Sequence, residues 1–260
     1  MTAPLFLAAG TVLGAPPEEQ IRAAAAAGFD GCGLRLDPAT CDAAAVARLV
    51  GVARREGVRT LDIEVVRLTT PEPTPDQRRL VAIGADLGAR WVLTVSEVTD
   101  PDDRRRGIEI IADVAQRNGM RVALEFMGFT AVPNLAAALR LWSVIGAPVG
   151  VLVDALHLHR TGGTAAEVAM MPSGSLAYLQ LCDVGPGPAP DGPAALAAEA
   201  RHHRLMPGDG AIDLATLVAS VPQGTAMTVE VQNDDLAAHH DSVDLARRAY
   251  AAARRFVSRP

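Results

Sequence analysis

A chain of 260 residues that is 49% apolar and 21% charged can fill a large core and is unlike a disordered polypeptide. Its net charge of −6 argues against a nucleic-acid footprint, and its 24 basic residues are all arginine, which excludes a Schiff-base lysine, a P-loop and a lysine general base. Three cysteines without a C-x-x-C pair suit a reducing, cytoplasmic compartment and offer no zinc-ribbon spacing.

In chain order, the opening MTAPLFLAAGTVLGA has a faint signal-like apolar run but no basic flank, so it reads as a first strand and loop. No later run reaches membrane-spanning length, and no membrane partner is expected. Strands are expected at 5–8, 33–36, 60–65, 91–96, 122–126, 150–154, 177–183 and 228–231. Helical patterns lie between them, such as PPEEQIRAAAAAG with early acids, DAAAVARLVGVARREG and the closing SVDLARRAYAAARRF. The basic run Arg104 to Arg106 reads as a solvated helix face. A weak repeat underlies the pattern: Gly28, Gly57, Gly88, Gly119 and Gly146 each precede an apolar run, as glycine does just past a helix end. A period of about 30 residues is the length of one strand-helix unit.

Strict alternation predicts a parallel sheet, and eight units in this length match a single (β/α)8 TIM barrel over residues 1–260. An open doubly wound sheet is the alternative, weakened because AAGTVLGA lacks the G-x-G-x-x-G turn after the first strand. The long Pro- and Gly-rich stretch 184–211 is read as an irregular loop that carries function or forms a lid.

In a barrel, chemistry sits at the C-terminal ends of the strands. Glu125 in VALEF, Asp154 in VLVDALH, Gln180 in LQLCD and Glu230 in MTVEVQ stand there, embedded in apolar residues on the fifth to eighth strands. Three neighbouring carboxylates raise one another's pKa unless a cation neutralises them, and a divalent metal is the natural cation. An arginine or backbone amide satisfying each residue separately is the competing explanation, and it must hold at four strand ends. All four donors are oxygens, Gln180 offering its carbonyl, which favours Mn2+ or Mg2+ over Zn2+.

The segments ALEFMGFT, GVLVDALHLHRTGGT, LAYLQLCDV, RLMPGDGAIDL and VEV resemble those of the sugar phosphate isomerase/epimerase family, the xylose-isomerase-like barrels. The resemblance covers most of the chain and is strongest from Val122 onward. It implies one divalent ion on Glu125, Asp154 and Glu230, with Gln180 where the family most often has His, and two glutamates flanking the substrate carbon. Some relatives with Gln at this position resemble 3-dehydroshikimate dehydratases. The resemblance also places His157, in DALH, and Arg204, in RHHRLMPGDG, near the substrate, and relatives are often dimers or tetramers. His157 equally suits a hydrogen-bonded rim histidine. Arg35, Glu64 and Arg67, at the second and third strand ends, are further substrate-binding candidates, with an internal Glu64–Arg pair as the competing reading. His202, His203 and Glu97 have nothing in their spacing to set them apart from other rim residues.

The expected chemistry is proton abstraction next to a carbonyl through a metal-stabilised enediolate, giving a sugar or keto-polyol isomerase or epimerase with Glu125 and Glu230 as acid and base and His157 beside them. A β-hydroxyl on the substrate turns the same step into elimination, as in a dehydratase. Arg67 and Arg204 tilt the substrate toward a sugar phosphate or polyhydroxylated keto acid. A non-catalytic sugar-binding barrel is the other class. A nuclease of the endonuclease IV type needs several histidine-rich metal sites and a basic surface, and the acidic charge and a single histidine near a strand end disfavour it.

Overall fold

The computed structural model describes residues 3–257, so both ends of the expected 1–260 domain lie outside the described residues. Eight parallel strands close into one barrel: β1 (Leu5–Leu7), β2 (Gly31–Arg35), β3 (Arg59–Leu68), β4 (Trp91–Ser96), β5 (Arg121–Glu125), β6 (Val149–Asp154), β7 (Leu176–Leu181) and β8 (Met227–Val229). Strand β1 pairs with β8, which removes both sheet edges and excludes the open doubly wound alternative.

Local sequence explains the outer helices. Helix Pro17–Ala27 starts with proline and places Glu18 and Glu19 in its first turn, against the exposed backbone N–H groups. The Asp42 side chain accepts from the Ala45 amide and starts helix Ala43–Glu56. The five repeating glycines all have positive φ, between 69° and 91°, at or just after helix ends. Helix Pro101–Arg117 carries the basic run, whose Arg105 and Arg106 pair at the surface with Glu109 and Glu72. No helix among the described residues is long and apolar enough to cross a membrane.

Two expectations need correction. Strand β3 runs on to Leu68, three residues past the expected end at 65, and Arg67 lies in its last pleat, at the strand end where it was expected. The stretch 184–211 is not one irregular loop, because it holds helix Gly192–His202, an alanine-rich segment started by Pro193.

Alternation along the strands divides the core. Leu124, Val151, Leu179, Leu181 and Val229 point outward into the layer beneath the helices. Phe6, Trp91, Leu93, Ala123, Leu152 and Tyr178 pack inside the barrel and form its floor. Residues two positions farther along the last four strands therefore face the same interior, one layer nearer the C-terminal mouth.

Candidate metal centre

That parity carries Glu125, Asp154 and Gln180 inward above Ala123, Leu152 and Tyr178, and Glu230 inward above Thr228. Asp154 and Gln180 are direct register partners, as are Gln180 and Thr228. Glu125, Asp154 and Glu230 are all buried, and one carboxylate oxygen from each lies within 4.8 Å of the others.

Arg204 holds two of the three. Its guanidinium, 2% exposed, donates to Asp154 Oδ2 at 2.7 Å and pairs with Glu230 Oε2 at 3.0 Å. It also donates to the Ala200 carbonyl and the Cys182 sulfur. Although burial opposes ionisation, Arg204 and the contacts of His157 hold Asp154 below the usual carboxylate range. Glu125 lacks such a partner, and burial, reinforced by Asp154 and Glu230, pushes it well above that range. Burial also raises Glu230, with Arg204 opposing.

Local folding explains the Asp154–His157 spacing. Strand β6 runs straight into helix Ala155–Arg160, and Asp154 caps it by accepting from the His157 amide at 3.1 Å. The cap sets the His157 ring inside, with Nε2 3.9 Å from Glu125 Oε1. Burial lowers the His157 pKa to about 4, so the ring is neutral at neutral pH.

The residues fit a divalent ion. Glu125 Oε1 and Gln180 Oε1 are buried without a hydrogen-bond partner among the described residues, which normally costs free energy. Each carboxylate has about four lone-pair sites, so the bonds from Arg204 leave acceptor capacity on Asp154 and Glu230. An oxygen-only donor set suits a hard cation.

A cavity of about 600 Å3 opens above the triad, lined by Glu125, His157, Arg204 and Glu230. Of the other substrate-binding candidates in its wall, Arg35 donates to Glu64 at 2.7 Å and Arg67 to Glu97 at 2.7 Å. His202 is at the rim, 3.1 Å from Asp234, while His203 bridges Asn233 through its backbone. A larger cavity of about 760 Å3 lies at the other end of the barrel, with Arg59 and Arg90 but no acid in its wall among the described residues.

Asp183, just ahead of the stretch 184–211, ties that stretch down at both ends. Its carboxylate accepts from the amides of Val184, Gly208 and Ile212, and its backbone exchanges two hydrogen bonds with Leu205, next to Arg204. Arg160 clamps helix Gly192–His202 through Glu199, at 2.6 and 2.9 Å.

Five further contributors carry no obvious mark in the sequence: Gly10, Asp62, Phe129, Arg201 and Gln232. Gln232 donates to Glu230 Oε1 at 3.1 Å, and the i+2 spacing in VEVQ was the available signal. Gly10 lies so close to Glu230 Oε1 and Gln232 Nε2 that a Cβ there would overlap both. Asp62 accepts a hydrogen bond from Tyr178 beneath the centre, at 2.6 Å. Arg201 and Phe129 line the mouth.

The family model for the xylose isomerase-like TIM barrel matches residues 21–256. The chain belongs to that family. Among solved barrels of similar fold is the IOLI protein with a bound zinc atom, at 17% identity and TM-score 0.83, covering 99% of this chain and 98% of that one. A D-allulose 3-epimerase from Methylomonas sp., in complex with D-allulose, aligns at 18% identity and TM-score 0.73 over 98% and 97% of the two chains. The probable 3-DHS dehydratase AsbF from Bacillus anthracis aligns at 11% identity and TM-score 0.74 over 95% and 97%. Comparison with curated protein sequences finds no match. At these identities the structural likeness speaks for the fold. Within the xylose isomerase-like family, the buried triad of this barrel suits a metal site.

Proposed function

We propose that the chain is a divalent-metal-dependent isomerase or epimerase that removes a proton from the carbon next to the carbonyl of a polyhydroxylated substrate. The observation that carries this reading is the convergence of Glu125, Asp154 and Glu230 within 4.8 Å, at the base of the cavity. Together with Gln180 they would hold the ion, Mn2+ or Mg2+ by their donor chemistry. When bound, the ion supplies positive charge that polarises the carbonyl and offsets the charge developing on its oxygen.

The chain's own groups divide the remaining work. Burial raises Glu125, and the charge of a bound ion would offset that and leave it ionised, so that Glu125, without another hydrogen-bond partner on Oε1 among the described residues, takes the proton. His157, neutral and beside it, offers Nε2 to a substrate hydroxyl. Glu230, oriented by Gln232 and Arg204 and raised in pKa by burial, enters the cycle protonated and delivers its own proton to the opposite face, which inverts the carbon and leaves the abstracted proton on Glu125. Leu93, Met127 and Phe129 form an apolar wall that limits water at the reacting carbon.

A second reading, a dehydratase, has its own support. The two glutamates are unequally engaged: Glu125 keeps a free oxygen, whereas both oxygens of Glu230 already have partners. Elimination needs a base for the proton next to the carbonyl and an acid for the departing β-hydroxyl; Glu125 can take the proton and pass it to that hydroxyl, which leaves as water, while neutral His157 donates a hydrogen bond to the leaving oxygen. Gln180 at the usual His position and the likeness to the probable 3-DHS dehydratase point the same way.

Incubating the Mn2+-loaded chain in D2O with ketoses, keto-inositols and 3-dehydroshikimate separates the readings. Deuterium next to the carbonyl with an epimeric or isomeric product supports the first, and a new conjugated absorbance supports the second. Neither signal over the panel, with metal content unchanged in Glu230→Gln, contradicts both and leaves the sugar-binding barrel.

A further inference from the structure

Four arginines line the cavity, and three are already committed to carboxylates: Arg35 to Glu64, Arg67 to Glu97, and Arg204 to Asp154 and Glu230. Arg201 differs. Among the described residues its guanidinium has no carboxylate partner, and it lies over the Phe129 ring, 5.8 Å from the centroid. Phe129 in turn packs edge-on against His157 at 5.6 Å, and His157 Nε2 is 3.9 Å from Glu125 Oε1. Arg201, Phe129, His157 and Glu125 thus form a continuous wall from the mouth to the triad.

From this arrangement we infer that Arg201 holds an anionic substituent, a carboxylate or phosphate, at the end of the substrate remote from the reacting carbon. The inference rests on the proposed carbonyl chemistry and adds the substrate class: acidic polyhydroxylated carbonyl compounds in preference to neutral ones. A cation–π contact with an aromatic face engages the guanidinium without using its N–H edge, which stays available for bidentate recognition of an oxyanion. The support beneath Arg201 is fixed. It sits in the last turn of helix Gly192–His202, which is clamped through Glu199 by Arg160 and through the Ala200 carbonyl by Arg204. Arg67 and Arg204, the arginines first expected to meet the anion, would each have to give up an ion pair to do so.

The test measures binding rather than turnover. The Mn2+-loaded full chain is titrated calorimetrically with two matched pairs: shikimate against its methyl ester, and D-fructose 6-phosphate against D-fructose. The expected result is a preference of about tenfold or more for the anion in one pair, which also tells carboxylate from phosphate. In Arg201→Gln that preference falls to within about threefold, and in Arg201→Lys it is intermediate, because a point charge lacks the fork. Metal content and circular dichroism stay unchanged. The assignment is overturned if neither pair discriminates, if Arg201→Gln keeps the preference, or if Arg67→Gln abolishes it while Arg201→Gln does not. Absence of solvent deuterium exchange alongside an intact Arg201-dependent preference contradicts the proposed reaction and supports this assignment.

Discussion

Replacing Asp62 with asparagine should stabilise the protein at neutral pH. Asp62 is 2% exposed inside the barrel, with Oδ2 accepting from Tyr178 at 2.6 Å and Oδ1 without a partner among the described residues. Burial, reinforced by Glu64, raises its pKa from 3.8 to about 8. A carboxyl with a raised folded pKa binds more protons folded than unfolded. Its stabilising contribution is therefore complete below about pH 4 and is lost as pH rises toward 8. At pH 7 the native chain keeps the proton that the unfolded chain releases. A gap of about three pH units at 1.36 kcal/mol each sets an upper bound of about 4 kcal/mol for this cost. Asparagine keeps the shape and an acceptor for Tyr178, and it cannot ionise. Asp62→Asn is expected to be more stable by about 2–4 kcal/mol at pH 7 and by almost nothing at pH 4. Urea unfolding at pH 4, 5.5, 7 and 8, followed by circular dichroism without added metal, measures the difference. A variant less stable than its parent at pH 7, or a difference that does not grow with pH, would mean that Asp62 carries no such ionisation cost.

Gly10→Ala places a Cβ against Glu230 Oε1 and Gln232 Nε2, and should weaken Mn2+ binding at least about tenfold in equilibrium dialysis, since such supporting contacts tune ligands by this amount. Arg204→Gln leaves the Asp154 and Glu230 carboxylates buried with their cation gone, at a cost of about 3–5 kcal/mol; thermal unfolding should show the loss, with partial recovery in excess Mn2+. Gln180→His should keep one ion per chain and shift the preference toward Zn2+, read by elemental analysis after exposure to equal Mn2+ and Zn2+.

The barrel was legible because its signals are local and repeated. Each glycine past a helix end and each buried strand follows from a few neighbouring residues, and period-two alternation puts Glu125, Asp154, Gln180 and Glu230 on one interior. The Arg35–Glu64 pair was legible too, since these residues are register partners on adjacent strands. Helix Gly192–His202 was hidden by the prolines and glycines before it, although Pro193 ahead of an alanine-rich run is itself a helix start. The bond from Arg204 to Asp154 spans 50 residues and that from Tyr178 to Asp62 spans 116. Such contacts depend on how the closed barrel staggers its strands, which no local pattern encodes.

The proposed ion sits among four oxygen donors at the ends of β5 to β8. Its place can be read by anomalous diffraction from a Mn2+-soaked crystal. The expected result is a single strong peak about 2.0–2.4 Å from oxygens of Glu125, Asp154, Gln180 and Glu230. A saturated crystal with no peak there, and Arg204 alone bridging the carboxylates, would contradict it.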